Sequence, residues 1–548
     1  MAGRNEQMTA HPARRQPDVT PAMKPVAGVL ALVFLVVLAG GALAALAFEA
    51  GSGGFDAAAN FDTYLWRVAR FTILQAIASS LLSVLFAVPV ARALYAEANF
   101  PGRGLILRLF ALPLALPALV AVLGVTGIYG RNGLVAHLSE AAGHPFQPDI
   151  YGITGILIAH VFFNMPLAVR LILAAYDSIP TDYWKLAAQL GMGNGARFRL
   201  IEWPVIRRNL PGMIGLIFML CVTSFTTVLT LGGGPRATTL EVAIYQSLHF
   251  DFDPGRAVAL TFTQLALTLL VLLALRLTGR PSEEGFTHAA TLRRYGKTST
   301  AERVLNIIVI AAGFLYVALP VAGVVVSGLA ADFGRLLTEA PVWRAIGTSL
   351  SLGFSAALLS VILSLALVSA REALKKRRLA NIFDTGASLI LVMPPIVIGA
   401  GWFILLRRFT DPFTAAPFMV VTVNAAMAMP FAVRLLRPAW DTAASRHNRL
   451  CAQLGIHSLN RFRLIDWPSI RRPASMAFAF AMALSLGDLG TIALFGSDAL
   501  LTLPYLLLQR MGSYRTFDAA GLGLILGLLC LALMMIADRA SRKETPSL

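Results

Sequence analysis

The stretch "QLGMGNGARFRLIEWPVIRR", Gln189 to Arg208, returns 264 residues later as "QLGIHSLNRFRLIDWPSIRR", Gln453 to Arg472, with 13 of its 20 positions identical. Both copies are basic and glycine-punctuated, in surroundings that are otherwise mostly apolar. The register extends beyond the stretch: "PLAVRL" from Pro166 answers "PFAVRL" from Pro430, and Ser224 falls opposite Asp488 at the same offset. Farther upstream Trp66 matches Trp343 and Ser83 matches Ser360 at an offset of 277, so one half has gained or lost a loop segment. The sequence thus divides into homologous halves, 1–285 and 304–548, joined by a basic, polar linker at 286–303.

The surroundings set the fold class. Of 548 residues 57% are hydrophobic and only 14% charged, with mean hydropathy +0.70. A soluble domain carries about a quarter charged residues. Crossing a ~30 Å hydrocarbon core takes about 20 apolar residues. Twelve such runs are expected, at 27–48, 71–91, 109–129, 151–175, 211–232, 257–277, 304–328, 346–370, 384–406, 417–440, 474–495 and 518–537. In lipid every backbone polar group must be satisfied within its own segment, which predicts an all-α integral membrane protein. Six spans per half is an even number, so both halves enter the membrane in the same direction, as parallel repeats.

The net charge of +17 and pI near 10.4 are explained by topology. With a cytoplasmic N-terminus, 35 of the 46 Lys and Arg fall on the cytoplasmic side and 11 on the other, which obeys the positive-inside rule. Both termini and both copies of the repeated stretch then lie in the cytoplasm. Nucleic-acid binding would gather the basic residues on one soluble face, and they are not gathered. Cys221, Cys451 and Cys530 lack paired spacing and an oxidising location, so no disulfide is expected. The first apolar run is too long for a secretory signal and reads as a retained span. In the linker, "YGKTST" imitates the end of a phosphate-binding loop, but Thr291 stands where its first glycine belongs and no strand precedes it. The chain is expected to carry no ATPase of its own.

Within the repeated stretch, Asp182 to Gln189 is rich in helix formers and stops at Gly191, which reads as a short helix with a C-terminal cap. Arg197 to Trp203 is basic and amphipathic. Phe198, Ile201 and Trp203 suit the headgroup layer, and Arg197, Arg199, Arg207 and Arg208 suit anionic lipid or a partner. An interfacial helix would explain the basic and aromatic content. It leaves the matched spacing of Gly, Ile and Trp-Pro in both halves unexplained.

That spacing, Gly191 with Ile201 ten positions on and then Trp203-Pro204, repeated as Gly455, Ile465 and Trp467-Pro468, resembles the "EAA" loop of ABC-transporter permeases. The resemblance implies a type I importer permease fold and two coupling helices, Tyr183 to Gly191 and His447 to Gly455, each seated on an ATPase. The implied docking residues are Tyr183, Lys185, Leu186, Ala187 and Gly191, with Arg449, Leu450, Cys451 and Gly455 in the second half. Here Lys185 and Arg449 occupy the family's acidic position and Trp203 and Trp467 replace its leucine, so contact through a carboxylate is not implied. Two similar sockets imply two copies of one cytoplasmic ATPase that hydrolyses ATP-Mg, with no cofactor bound by this chain. Across nearly the whole chain, "LAAQLGM", "AHVFFNMPLAVRL", "YDSIP", "FMLCVTSFTTVLTLGGGPRATTLEVAIYQSL" and "GSYRTFDAA" resemble the fused thiamine (thiamine pyrophosphate) branch of these permeases in Gram-negative bacteria. The resemblance implies an inner-membrane location and a periplasmic substrate-binding protein as partner. A ferric-iron or other small-solute permease of the same group is the alternative.

Polar groups inside spans are costly and mark candidate path residues: His160, Asn164, Ser224, Glu241, Asn424 and Asp488. A carboxylate at Asp488 would favour the thiazolium cation that the thiamine resemblance implies. The competing reading is that Asp488 caps or pairs within the bundle and that His160 is an interhelical hydrogen bonder. "LGGGPRATT", Leu231 to Thr239, and "LFGSDALLT", Leu494 to Thr502, read either as an outer gate or as extracellular turns. An ion-coupled secondary transporter would more often carry charges in the middle of several spans. A membrane enzyme would show a metal set or a nucleophile–base pair.

Overall fold

The computed structural model describes residues 26–51, 61–278 and 299–542, except 132, 145, 147, 374–381, 384–385, 387–389 and 457. The linker at 286–303 therefore lies mostly outside the described residues. Among the described residues every regular element is helical, as an apolar solvent requires.

In the first half the main helices are α1 (Val26–Gly51), α2 (Thr63–Ala96), α3 (Ala118–Tyr129), α4 (Ile153–Asp177), α5 (Thr181–Gln189), α6 (Trp203–Val222), α7 (Phe225–Leu231), α8 (Leu240–His249) and α9 (Pro254–Thr278). The second half repeats the order as α10 (Thr300–Leu329), α11 (Ala340–Ala373), α12 (Pro395–Leu406), α13 (Ala416–Gln453), α14 (Trp467–Gly487), α15 (Gly490–Phe495), α16 (Leu503–Gly512) and α17 (Thr516–Arg542). Helices α2 and α11 are both 34 residues long and begin at the offset of 277. In each half the core is a trio in mutual contact, α2 with α4 and α6, and α11 with α13 and α14.

Among the described residues ten helices are long and apolar enough to cross a bilayer, where twelve spans were expected. The other two expected spans are present in altered form. Of the run at 384–406, part of which lies outside the described residues, α12 starts after Met393-Pro394 and has 12 residues. The run at 474–495 is interrupted: α14, with Arg471 and Arg472 near its start, ends at Gly487, and α15 begins at Gly490. Its first-half counterpart, 211–232, breaks likewise at Thr223-Ser224 between α6 and α7. At 109–129 the helix starts only at Ala118, after Pro113 and Pro117. Proline has no N–H to give and collides with the preceding turn, so the run at 109–129 cannot start as a helix where hydropathy alone starts it.

The largest departure from a plain duplication concerns the coupling helices. In the first half α4 ends at Asp177, and α5 starts after Pro180. In the second half the whole stretch is one helix of 38 residues, α13, so no separate short helix forms there. Ile179-Pro180 is replaced at the offset of 264 by Ala443-Ala444. Proline disfavours helical backbone at the residue before it and removes an N–H, whereas two alanines continue the helix.

The halves also exchange their first helices. Helix α1 packs on α11 and α12, and α10 packs on α2, α3 and α17. Glycines at Gly124 of α3 and Gly401 of α12, related by the offset of 277, lie at two of these contacts. A Cβ on Gly124 would lie 2.2 Å from the Pro320 carbonyl oxygen, and one on Gly401 2.5 Å from that of Ala42. Trp402 Nε1 donates to the Leu38 carbonyl (2.8 Å) across the contact of α1 with α12, and the Tyr316 hydroxyl of α10 donates to the Ile158 carbonyl of α4 (2.8 Å). Glu49, at the end of α1, takes Arg407 at 3.0 Å and Arg408 at 2.6 Å.

Candidate docking helices and translocation path

Both coupling segments end in the same way. Gly191 has φ +61° and Gly455 φ +63°, a left-handed conformation in which any other residue meets its own Cβ. The Met192 N–H returns to the Ala187 carbonyl (3.0 Å) and that of Ile456 to Cys451 (3.0 Å), the six-to-one bond of a Schellman cap. Nothing lies within 4 Å of a Cβ built on either glycine, so backbone conformation, not crowding, demands them.

The helical period sorts the nine expected docking residues. Tyr183, Lys185, Leu186, Arg449 and Leu450 are exposed, and Lys185 pairs with Asp182 at 3.3 Å. Ala187 and Cys451 are buried against the membrane domain, so their side chains are not on the face open to a partner. Beneath the first segment Trp184 is buried on Tyr95 (ring centroids 5.4 Å), which in turn meets Tyr176 (4.9 Å).

After each glycine the chain returns to the membrane through a π-helical turn, Phe198–Glu202 and Phe462–Asp466. Nothing in "FRLIE" or "FRLID" as a sequence announces it. The wide turn accompanies a buried acid: Glu202 meets Arg92 of α2 at 2.8 Å, and Asp466 meets Arg461 at 3.4 Å. Burial pushes the Asp466 carboxyl up, against the pull of Arg461. Arg197, expected with the other arginines to reach anionic lipid or a partner, is buried, while Arg199, Arg207 and Arg208 are exposed. Phe198 and Trp203 pack at 5.9 Å, and Phe462 and Trp467 at 6.1 Å.

In the membrane interior the candidate path residues fall around the two helix breaks. His160 Nδ1 meets the Ser79 hydroxyl (2.8 Å) and Nε2 meets that of Ser224 (2.7 Å). Asn164 donates to the His160 carbonyl (2.8 Å) and to Cys221 Sγ (3.4 Å). His160 therefore has both ring nitrogens engaged between helices. Asn424 stands at its offset of 264 and donates to the Ser485 hydroxyl (2.9 Å).

Asp488, opposite Ser224, accepts the Gly490 N–H (3.2 Å) and the Thr491 N–H (3.3 Å). Its carboxylate thus sits at the first amides of α15. A small cavity lined by Ser349, Val420, Ser485, Asp488 and Thr502 opens beside it. Glu241 is buried in the first turn of α8, faces the Phe225 amide at the start of α7, and has its Oε1 unpartnered. The Phe225 ring lies 4.0 Å from a Cβ built on Gly490. The starts of α7 and α15 thus meet between the halves, each with a carboxylate at its amides.

The two segments read as gate or turn each lead into a short helix. Gly233 and Gly234 have φ +70° and +131°. The amide of Leu240 then bonds the Thr72 hydroxyl (3.0 Å), as that of Leu503 bonds Ser349 (2.8 Å) at the matching place. Among the described residues no group of His, Cys, Asp and Glu could hold a metal ion.

Residues 83–280 and 362–544 match the family described as the binding-protein-dependent transport system inner membrane component. The chain is 84% identical over 539 residues to the thiamine transport system permease protein ThiP of Brucella abortus (strain 2308), covering 98% of this chain and 99% of the relative. It is 41% identical over 533 residues to the protein of that name from Escherichia coli (strain K12), covering 96% and 98%. With that from Haemophilus influenzae it shares 39% over 510 residues, covering 92% and 94%. Matched in both halves and over nearly its full length, the chain belongs to the family of binding-protein-dependent transport system inner membrane components, as a transporter subunit and not an enzyme.

Proposed function

We propose that the chain forms the membrane path of an ATP-driven importer of thiamine or its phosphates. Two copies of one cytoplasmic ATPase drive it, seated on α5 and on the matching end of α13, and a periplasmic binding protein delivers the substrate. The observation that carries this reading is the pair of glycine-capped docking ends, related by 264 residues, in a chain matched end to end by relatives named for thiamine transport. The charge count, 35 of 46 basic residues on one side, supports cytoplasmic termini and a cytoplasmic seat for both ends. The chain binds no cofactor, and ATP-Mg is used by the partner.

Electrostatics supports a cationic cargo. Glu241 and Asp488 place two buried acids where the halves meet, and a cation arriving beside them favours their ionised form. In a medium of low dielectric an acid ionised in this way attracts a thiazolium ring far more than a neutral solute. His160, Ser224 and Asn424 line the same level with neutral hydrogen-bonding groups.

The test is reconstitution of the chain with its ATPase and binding protein in liposomes, reading ATP-dependent uptake of labelled thiamine. Uptake that vanishes without ATP, and that is lost together with ATPase binding in Gly191→Val/Gly455→Val, is the expected result. Uptake independent of any ATPase would overturn the reading.

A further inference from the structure

The two docking ends occupy equivalent places but are joined to the membrane core by different chemistry. In the first half the docking helix itself is held by rings, Trp184 on Tyr95 on Tyr176, and is hinged at Pro180, while Arg92 of α2 reaches the return path at Glu202 and Asn194 and not the docking helix. Burial of rings is non-directional, so such a contact tolerates sliding.

At the same three places the second half has Asn448, Glu372 and Trp440. Glu372, in the last turn of α11, accepts from Trp440 Nε1 (2.8 Å) and Asn448 Nδ2 (3.1 Å) and pairs with Arg461 (3.3 Å). Arg461, with 1% of its side chain exposed, also donates to Asn448 Oδ1 (2.7 Å) and meets Asp466. Trp440 and Asn448 lie on α13, and Arg461 and Asp466 on the return path to α14. One carboxylate therefore ties the docking end, the core helix and the return path together. These bonds are directional, and a small displacement would leave a buried charge unpaired. Helix α13 is continuous to Gln453 and its last proline, Pro438, precedes Trp440, so no proline falls between the Trp440 and Asn448 contacts.

We propose that Glu372 is a positioning residue that locks the second docking end to α11, so that this half follows its ATPase as a rigid lever while the first half follows through a hinge. The proposal rests on the docking reading above. Two identical motors would then act on mechanically unequal sockets.

The experiment uses the complete transporter in liposomes and measures thiamine imported per ATP hydrolysed, together with hydrogen exchange at 441–453 and 181–189. In Glu372→Ala the ATPase stays bound and imports per ATP fall roughly tenfold, about what one charge-assisted hydrogen bond is worth. Exchange rises at 441–453 and not at 181–189, and Glu372→Asp recovers most of the ratio. If Glu372→Ala fails to assemble, Glu372→Gln, which keeps the shape and one acceptor, carries the same test. An unchanged ratio overturns the proposal, and so does a fall of import and hydrolysis in proportion, which would mean a loss of folded protein only. Failure of the unmodified chain to hold an ATPase would count against the docking reading instead, and the exchange contrast would still test the lock.

Discussion

Ser224 and Asp488 are the same residue of the ancestral half, and each finishes the same helix break with different chemistry. Ser224 turns to His160, whereas Asp488 turns to the amides of its own next helix. The pairing of 224 with 488 was legible from the repeat, and so was that of His160 with Asn424. Which neighbour each side chain chooses was not, because it depends on residues such as Ser79 and Ser485 that sequence distance does not connect. Asp488 can now be tested with its two roles separated. Asparagine keeps an oxygen that caps a helix and gives up the charge. Asp488→Asn should keep the thermal midpoint of the purified protein and lower uptake of cationic thiamine roughly tenfold, the worth of one favourable charge contact in a partly wet interior. Asp488→Ala should lower both, the midpoint by the equivalent of about 1 kcal/mol for a lost cap. Uptake by Asp488→Asn equal to the unmodified rate would remove the charge from the path.

The docking elements show how far a short motif reaches. The glycine stop was readable because only one residue type takes that backbone at low cost, and Gly191→Ala or Gly455→Ala should each cost about 1–2 kcal/mol locally. Faster hydrogen exchange at 186–192 or 450–456 would report that loss. Ala187 and Cys451 entered the docking set with the motif, and the period of the helix turns their side chains inward, which the motif alone does not tell. It also drew two short helices where one long helix and one hinged helix stand. The deciding residues, Ile179-Pro180 against Ala443-Ala444, lie just outside the repeated stretch. Pro180→Ala should therefore make the first half resemble the second, with exchange at 178–183 slowed roughly tenfold as α4 and α5 join, since a single proline costs a helix interior about 3 kcal/mol. Unchanged exchange there would mean that packing of Trp184, and not proline, sets the break.

At the scale of the whole molecule, hydropathy identified the spans but said nothing about which spans touch. An apolar helix looks alike whichever neighbour it meets, so the exchange of α1 and α10 between halves was invisible in the sequence. Gly124 and Gly401, glycines at equal places in two apolar helices, are a local trace of it. In lipid, helix association depends on close backbone approach, because no hydrophobic difference separates neighbours from solvent. The exchange makes each half incomplete alone: the first half needs α10 against α3, and the second needs α1 against α12. The chain cut in the linker and expressed as two polypeptides should therefore co-purify as a pair and transport, whereas either piece expressed alone should be unstable. Gly401→Leu should break the pair, since a Cβ there meets Ala42 backbone at 2.5 Å and the helices must part. The cost of such overpacking is typically about 1–3 kcal/mol, enough to separate two chains that the linker would otherwise hold together. Co-purification measured with and without Gly401→Leu, in the cut and the uncut chain, decides it: half-chains that stay paired despite the substitution would show that the crossing at this glycine is not what joins the halves.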